Sequence, residues 1–245
     1  MKDINIIKNK LENLNLQPTQ EQLSKLYSFY ELLIEKNKVM NLTGITEYEE
    51  VIDKHFVDSV SIIKAIDLNK KIRVIDLGTG AGFPGIPLKI MFPNIEIVLV
   101  DSLNKRIKFL EEVVEQLQLT DISCIHSRAE DLAQNKEYRE QFDLCVSRAV
   151  ANLSTLCEYC IPFVKVGGNF VSYKSGVIQE ELEQAKYAIS TLGGELSEVI
   201  NFTLPETDIE RSFIKIKKNK NTQKKYPRKA GLPGKEPLEK KGLSH

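Results

Sequence analysis

The chain has 245 residues, 42% of them hydrophobic, with 34 basic and 34 acidic side chains and a formal net charge of zero. That is an ordinary globular composition, enough for a sizeable core in one large domain, or in one domain plus a small appendage. No apolar run approaches the ~20 residues that span a bilayer, and the opening MKDINIIKNK has no apolar stretch followed by a cleavage site, so no secretory signal is expected.

The four cysteines (Cys124, Cys145, Cys157, Cys160) fall inside predicted strands or helices and read as the reduced thiols of a cytoplasmic protein. Cys157 and Cys160 form a lone CxxC with no second pair and no histidine nearby, so a metal site is not expected. Charge is unevenly spread. From Lys215 to His245 there are eleven Lys or Arg and two acids, Glu236 and Glu239, a segment near +9 with the rest near −9. Such asymmetry suggests a polyanionic partner, and a solvated tail has the same pattern.

In chain order, residues 1–67 read as a helical N-terminal extension. Thr19 and Gln22 have capping-box spacing, and Leu23, Leu26, Tyr27, Tyr30 and Ile34 share one helical face. A second helix is expected from Tyr48 to Ile66. Residues 68–217 then alternate strand and helix. Strands are predicted at Ile72–Leu77, Ile95–Val100, Ile122–His126, Phe142–Val146 and Asn169–Tyr173, with helices at Ile86–Phe92, over the stripe Leu103–Leu117, at Leu153–Phe163 and over the stripe Ile178–Leu192. The strands at Glu195–Leu204 and Ser212–Ile216 are joined by a short turn and form a hairpin, so one of them runs antiparallel. This is an α/β fold: a doubly wound, mostly parallel sheet of seven strands covered on both faces. Residues 218–245 form a basic tail, irregular over YPRKAGLPGKEPL (Tyr226 to Leu238).

Chemistry concentrates after the first strand. Gly80 to Gly85 satisfies the G-x-G-x-x-G dinucleotide pattern. Asp76 turns the reading toward a methyl donor: an acid there offers nothing to a pyrophosphate and something to the ammonium group of S-adenosylmethionine. Asp76 to Gly82 also reads D-x-G-x-G-x-G, the methyltransferase form of the loop. Asp101 ends the second strand, roughly 20 residues past the glycines, where a carboxylate accepts from ribose hydroxyls; a helix cap is the alternative. Ala129, through its N–H, and Glu130 follow the third strand and could read an adenine edge, or Glu130 is a solvated helix-start acid.

Several motifs together resemble one family: Asn41–Leu42–Thr43, His55-x-x-Asp58–Ser59, GTGAGFPGIPL (Gly78 to Leu88), Asp101–Ser102–Leu103 with Lys105–Arg106, Ser147–Arg148–Ala149, and the proline-rich tail. The chain resembles the glucose-inhibited division protein B family, bacterial methyltransferases that act on guanine N7 of 16S ribosomal RNA. The resemblance covers nearly the whole chain, although only some members carry the tail. It implies a class I S-adenosylmethionine-dependent methyltransferase, a monomer, acting on 16S RNA or the small subunit in the 530-loop region.

It further implies cofactor contacts at Gly78, Phe83, Ala129, Glu130 and Arg148, with Gly80 in the same loop. Phe83 could instead anchor the loop in the core, and Arg148 could hold Asp76 or Glu130 as an ion pair. RNA-side roles are implied for Lys105, Arg128, Lys174 and Arg211, and the basic tail with Arg228 and Lys229 would hold phosphates. Lys105, Arg106 and Lys108 could equally be a solvated helix face.

Guanine N7 already has a free lone pair, so no general base is expected. His55 and His126 read as structural. The rivals are an NAD(P)-dependent oxidoreductase, disfavoured by Asp76 and the lack of a Tyr–Lys or His–Asp pair, and a non-catalytic RNA-binding module, disfavoured by the intact glycine loop.

Overall fold

A computed structural model of the chain describes residues 2–176 and 178–240. The end of the basic tail, Lys241 included, lies outside the described residues. The strands β1 (Arg73–Leu77), β2 (Glu96–Asp101), β3 (Ile122–His126), β4 (Phe142–Arg148), β5 (Val164–Lys174), β6 (Gly194–Thr203) and β7 (Glu210–Lys218) form one sheet in the order 3-2-1-4-5-7-6. Only β7 is antiparallel to its neighbours, which is the expected hairpin. This is the class I methyltransferase architecture.

Period-2 alternation sorts each strand's side chains to opposite faces, and both faces are apolar. Val74, Leu99, Val146 and Val171 enter one core, while Ile75, Val100, Cys145 and Phe170 enter the other. The first core also takes in Leu26, Phe29 and Leu33 from α2 (Gln20–Met40), together with the helical run that follows.

The N-terminal helices are α1 (Ile4–Glu12) and α2, the latter opened by the Thr19–Gln22 capping box and closed by Asn41 in the left-handed conformation. The helix expected over residues 48–66 is not uniform. It runs through α3 (Tyr48–Val51), a π-helical turn (Ile52–Val57), α4 (Asp58–Val60) and a 3-10 turn (Ser61–Lys64). Ser59 and Ser61 hydroxyls donate to the carbonyls four residues back, those of His55 and Val57. The π turn sets His55 and Asp58 toward the ends of the sheet strands, a location where such widened turns recur at functional sites.

The remaining helices are α5 (Gly85–Met91), α6 (Asn104–Gln116), α7 (Ala129–Leu132), α8 (Leu153–Cys160), α9 (Gln179–Thr191) and α10 (Leu232–Lys235). The tail is irregular over most of its described length, as expected, but it is docked on the domain. It contains α10 and packs against α7, α8 and the loop between α7 and β4, with Tyr226 and Leu238 in the second core. Lysines and prolines are frequent in the segment, and among the described residues Tyr226 and Leu238 are its buried large apolar side chains, so its packing leaves little local trace in the sequence.

Candidate active site

In a doubly wound sheet the crevice opens where the strand order reverses, here between β1 and β4. A cavity of about 590 Å³ lies at that point. Its walls come from strand ends and the loops after them: Gly78 past β1, Asp101 of β2, Ala129 and Glu130 past β3, Ser147 of β4. Four of the residues singled out in the sequence, Gly78, Asp101, Ala129 and Glu130, therefore share one cavity, although they are spread over 53 positions from Gly78 to Glu130.

Asp101 is buried, and its carboxylate organises the loop. Oδ1 accepts from Leu103 N at 2.9 Å; Oδ2 accepts from Gly80 N at 3.0 Å and from Arg106 at 3.2 Å. Gly80 thus serves the cavity through Asp101 and does not line it. A carboxylate has about four acceptor sites, so one remains for a ligand hydroxyl. Gly78 has φ +71, and a Cβ there would collide with Val150, whose side chain lies over it.

Asp76 is a correction. The acid expected to face an ammonium group is fully buried and sealed from the cavity. Its Oδ2 accepts from Gly85 N at 2.9 Å, fixing the start of α5. Oδ1 has no hydrogen-bond partner among the described residues, and burial pushes the pKa up to about 7. A Cβ at Gly85 would run into Leu99 and lie 2.8 Å from Asp76, so glycine is required by that approach.

Phe83 also lies outside the cavity. It is buried beneath the loop, stacked on His55 at 4.4 Å between centroids and tilted against Phe29 at 5.2 Å. The Arg148 guanidinium stands 5.3 Å from the Phe83 ring centroid.

Arg148 belongs to a second cavity of about 470 Å³, lined by Lys54, His55, Asp58, Arg148, Lys174 and Arg211 among others. Asp58 is its buried centre. It takes Arg148 at 2.7 Å on one oxygen and Arg211 at 3.0 Å on the other. Arg148 therefore pairs with neither Asp76 nor Glu130, the two acids the sequence suggested for it; its acid is Asp58, 90 positions away. His55 Nε2 meets Thr43 Oγ1 at 2.9 Å, and Arg148 reaches Nδ1 at 3.3 Å. Burial, then Arg148, pushes the His55 pKa down to about 4, so the ring is neutral at physiological pH. The Asn41–Leu42–Thr43 and His55-x-x-Asp58 motifs thus meet in space.

Lys174 pairs with Glu181 at 2.6 Å and donates to Ala151 O at 3.1 Å. Ala149 lines both cavities and takes a left-handed φ of +56, a conformation that costs a non-glycine residue on the order of 1 kcal/mol.

Arg128 lines the first cavity, and Lys105 stands exposed on α6 beyond its rim. His126 reaches Ser102 O at 3.0 Å. Lys229 is exposed, but Arg228 is not available as a free cation. Its backbone N–H and guanidinium make four bonds to the fully buried Glu158, at 2.7 to 3.1 Å. Nothing local in the sequence pairs two positions 70 apart.

The rRNA small subunit methyltransferase G family model matches residues 22–212. A ribosomal RNA small subunit methyltransferase G of Lachnoclostridium phytofermentans is 52% identical over 241 residues, covering 98% of this chain and 100% of that one. The chain belongs to the GidB family. Its member from Staphylococcus aureus is 50% identical over 229 residues, covering 94% of this chain and 95% of that protein. Among solved structures, TrmN from Thermus thermophilus superposes with a TM-score of 0.51 at 14% identity, covering 68% of this chain and 53% of that one. The StiE O-MT segment superposes with a TM-score of 0.53 at 14% identity, covering 69% and 75%. These distant likenesses concern the fold.

Within this GidB-family chain, no helix among the described residues is long and apolar enough to cross a membrane. Among the same residues no group of three or more His, Cys, Asp or Glu is placed to hold a metal ion.

Proposed function

We propose that the chain transfers the methyl group of S-adenosylmethionine to N7 of a guanine in the 530-loop region of 16S ribosomal RNA. The observation that carries this reading is the junction at Ala149, where a nucleoside-sized cavity meets a second cavity walled by cations. The donor set of the first fits the cofactor. Asp101 retains acceptor capacity for a ribose hydroxyl, and Ala129 and Glu130 stand at the end of β3 for the adenine edge. When bound, the cofactor supplies an electrophilic methyl group.

The second cavity fits a guanine nucleotide. Arg148, Arg211 and Lys174 give it positive charge for a phosphate and for the electron-rich base edge. Asp58 holds Arg148 and Arg211 in fixed positions, so their donors need no reorganisation when the base arrives. N7 needs no deprotonation, and His55, neutral and packed on Phe83, keeps a structural role. The chain's contribution is alignment and a preorganised, desolvated junction, which can supply several kcal/mol. A base in structured RNA must be splayed out to enter. Lys105, Arg128 and Lys229 would hold phosphates.

The test is methyl transfer from labelled cofactor to small-subunit RNA and to intact subunits, followed by chemical cleavage at N7-methylguanine. Label confined to one guanine supports the reading. Label on another atom, or none from an enzyme that binds cofactor, overturns it.

A further inference from the structure

The segment after β7 contributes one residue to the first cavity and bonds two of its wall residues. Gly234 lines it, next to Tyr159; a Cβ on Gly234 would find the Tyr159 hydroxyl at 3.5 Å as its neighbour. Gly231 N donates to Glu130 Oε1 at 2.8 Å, and Glu130 is a buried wall of the same cavity. Thr155, a third wall residue, donates its hydroxyl to Pro233 O at 3.1 Å.

The docking behind these contacts is firm. A charge as buried as Glu158 is tolerated only when fully hydrogen-bonded, and Arg228 supplies both the bonds and the counter-charge. Arg139 donates to the carbonyls of Thr222, Gln223 and Tyr226 at 2.8 to 3.2 Å. Lys218, at the end of β7, donates to Ile161 O at 2.9 Å and bonds Thr222 Oγ1. A tail that merely trailed in solvent to collect RNA would need none of this.

We propose that the segment 222–238 is a strap that forms a wall of the methyl-donor cavity and positions Glu130, so that affinity for the cofactor depends on residues beyond the last strand. This rests on the reading that S-adenosylmethionine occupies that cavity. Gly231 binds one Glu130 oxygen and so fixes the direction of the other; Gly234, lacking a side chain, leaves the space beside Tyr159 open.

The experiment uses the full chain and S-adenosylhomocysteine in equilibrium dialysis, with initial rates alongside. Gly234→Phe fills the space beside Tyr159 and weakens binding by about tenfold or more. The same variant raises KM for S-adenosylmethionine while kcat at saturation and KM for RNA stay within about threefold. Arg139→Ala is read independently: amide exchange across residues 222–236 rises and affinity for S-adenosylhomocysteine falls by about fivefold or more.

A folded Gly234→Phe that binds like wild type overturns the strap. So does an Arg139→Ala protein whose strap exchanges faster with affinity unchanged; that second variant decides the matter if Gly234→Phe does not fold. A wild-type chain that binds no S-adenosylhomocysteine sinks the cavity assignment itself, a different failure.

Discussion

Asp58 and Arg148 lie 90 positions apart in the chain and 2.7 Å apart in the structure, on the buried wall of the cation-lined cavity. Arg211 closes on the other oxygen of the same carboxylate. Replacing one member of a buried ion cluster leaves the others uncompensated, which typically costs about 3 kcal/mol or more. Asp58→Asn, which keeps the shape, is therefore expected to lower stability in urea by that order and to slow methyl transfer. A variant with wild-type stability and turnover would show that the cluster is not the frame of the site.

Arg148→Ala separates the two cavities. Arg148 lines the second and not the first. Binding of S-adenosylhomocysteine should stay within about threefold, while the single-turnover rate falls by roughly 100-fold, the usual cost of losing one preorganised donor. Weakened cofactor binding with an unchanged rate would place the residue on the donor side instead.

Gly85→Ala tests the loop that Asp76 holds. The added methyl has no room between Leu99 and the Asp76 carboxylate. Overpacking of this kind costs about 1–3 kcal/mol. Thermal unfolding should show the loss, with weaker cofactor binding because the glycine loop shifts. An unchanged melting temperature would contradict the close approach.

Two buried groups pull stability in opposite directions between pH 4 and pH 7. His55, with a folded pKa near 4 against an ordinary 6.5, opposes protonation; the fold loses stability as pH falls through that window, by about 3 kcal/mol at its foot. Asp76, with a folded pKa near 7 against 3.8, opposes ionisation; its contribution is complete below pH 3.8 and is lost as pH rises toward 7. Urea titrations should show Asp76→Asn gaining on wild type as pH rises from 4 to 7, and His55→Gln gaining as pH falls from 6.5 to 4. Parallel profiles for either variant would refute its assignment.

Much of this is legible in the sequence because it is local. Continuous apolar strands, the glycine cluster and the strand-end position of Asp101 each depend on a few adjacent residues, and the parallel sheet follows from strand–helix alternation. The cavity residues Gly78, Asp101, Ala129 and Glu130 are legible for the same reason, since strand ends converge in a doubly wound sheet. What escapes is long-range partnership. The acid that Arg148 and Arg211 share, and the burial of Arg228 on Glu158, join positions 70 to 153 residues apart. Asp76 is misread because its spacing within the glycine motif says nothing of whether it faces a ligand or the first turn of α5. The basic tail is misread because its charge is conspicuous, whereas its two anchors, Tyr226 and Leu238, are not.

The most direct test is a crystal structure of the chain with S-adenosylhomocysteine. The nucleoside is expected against Asp101 and Ala129, with the sulfur end toward Ala149 and the cation-lined cavity left free for the base. Density for the compound among Arg148, Arg211 and Lys174, or an empty first cavity that a nicotinamide dinucleotide fills instead, would contradict it.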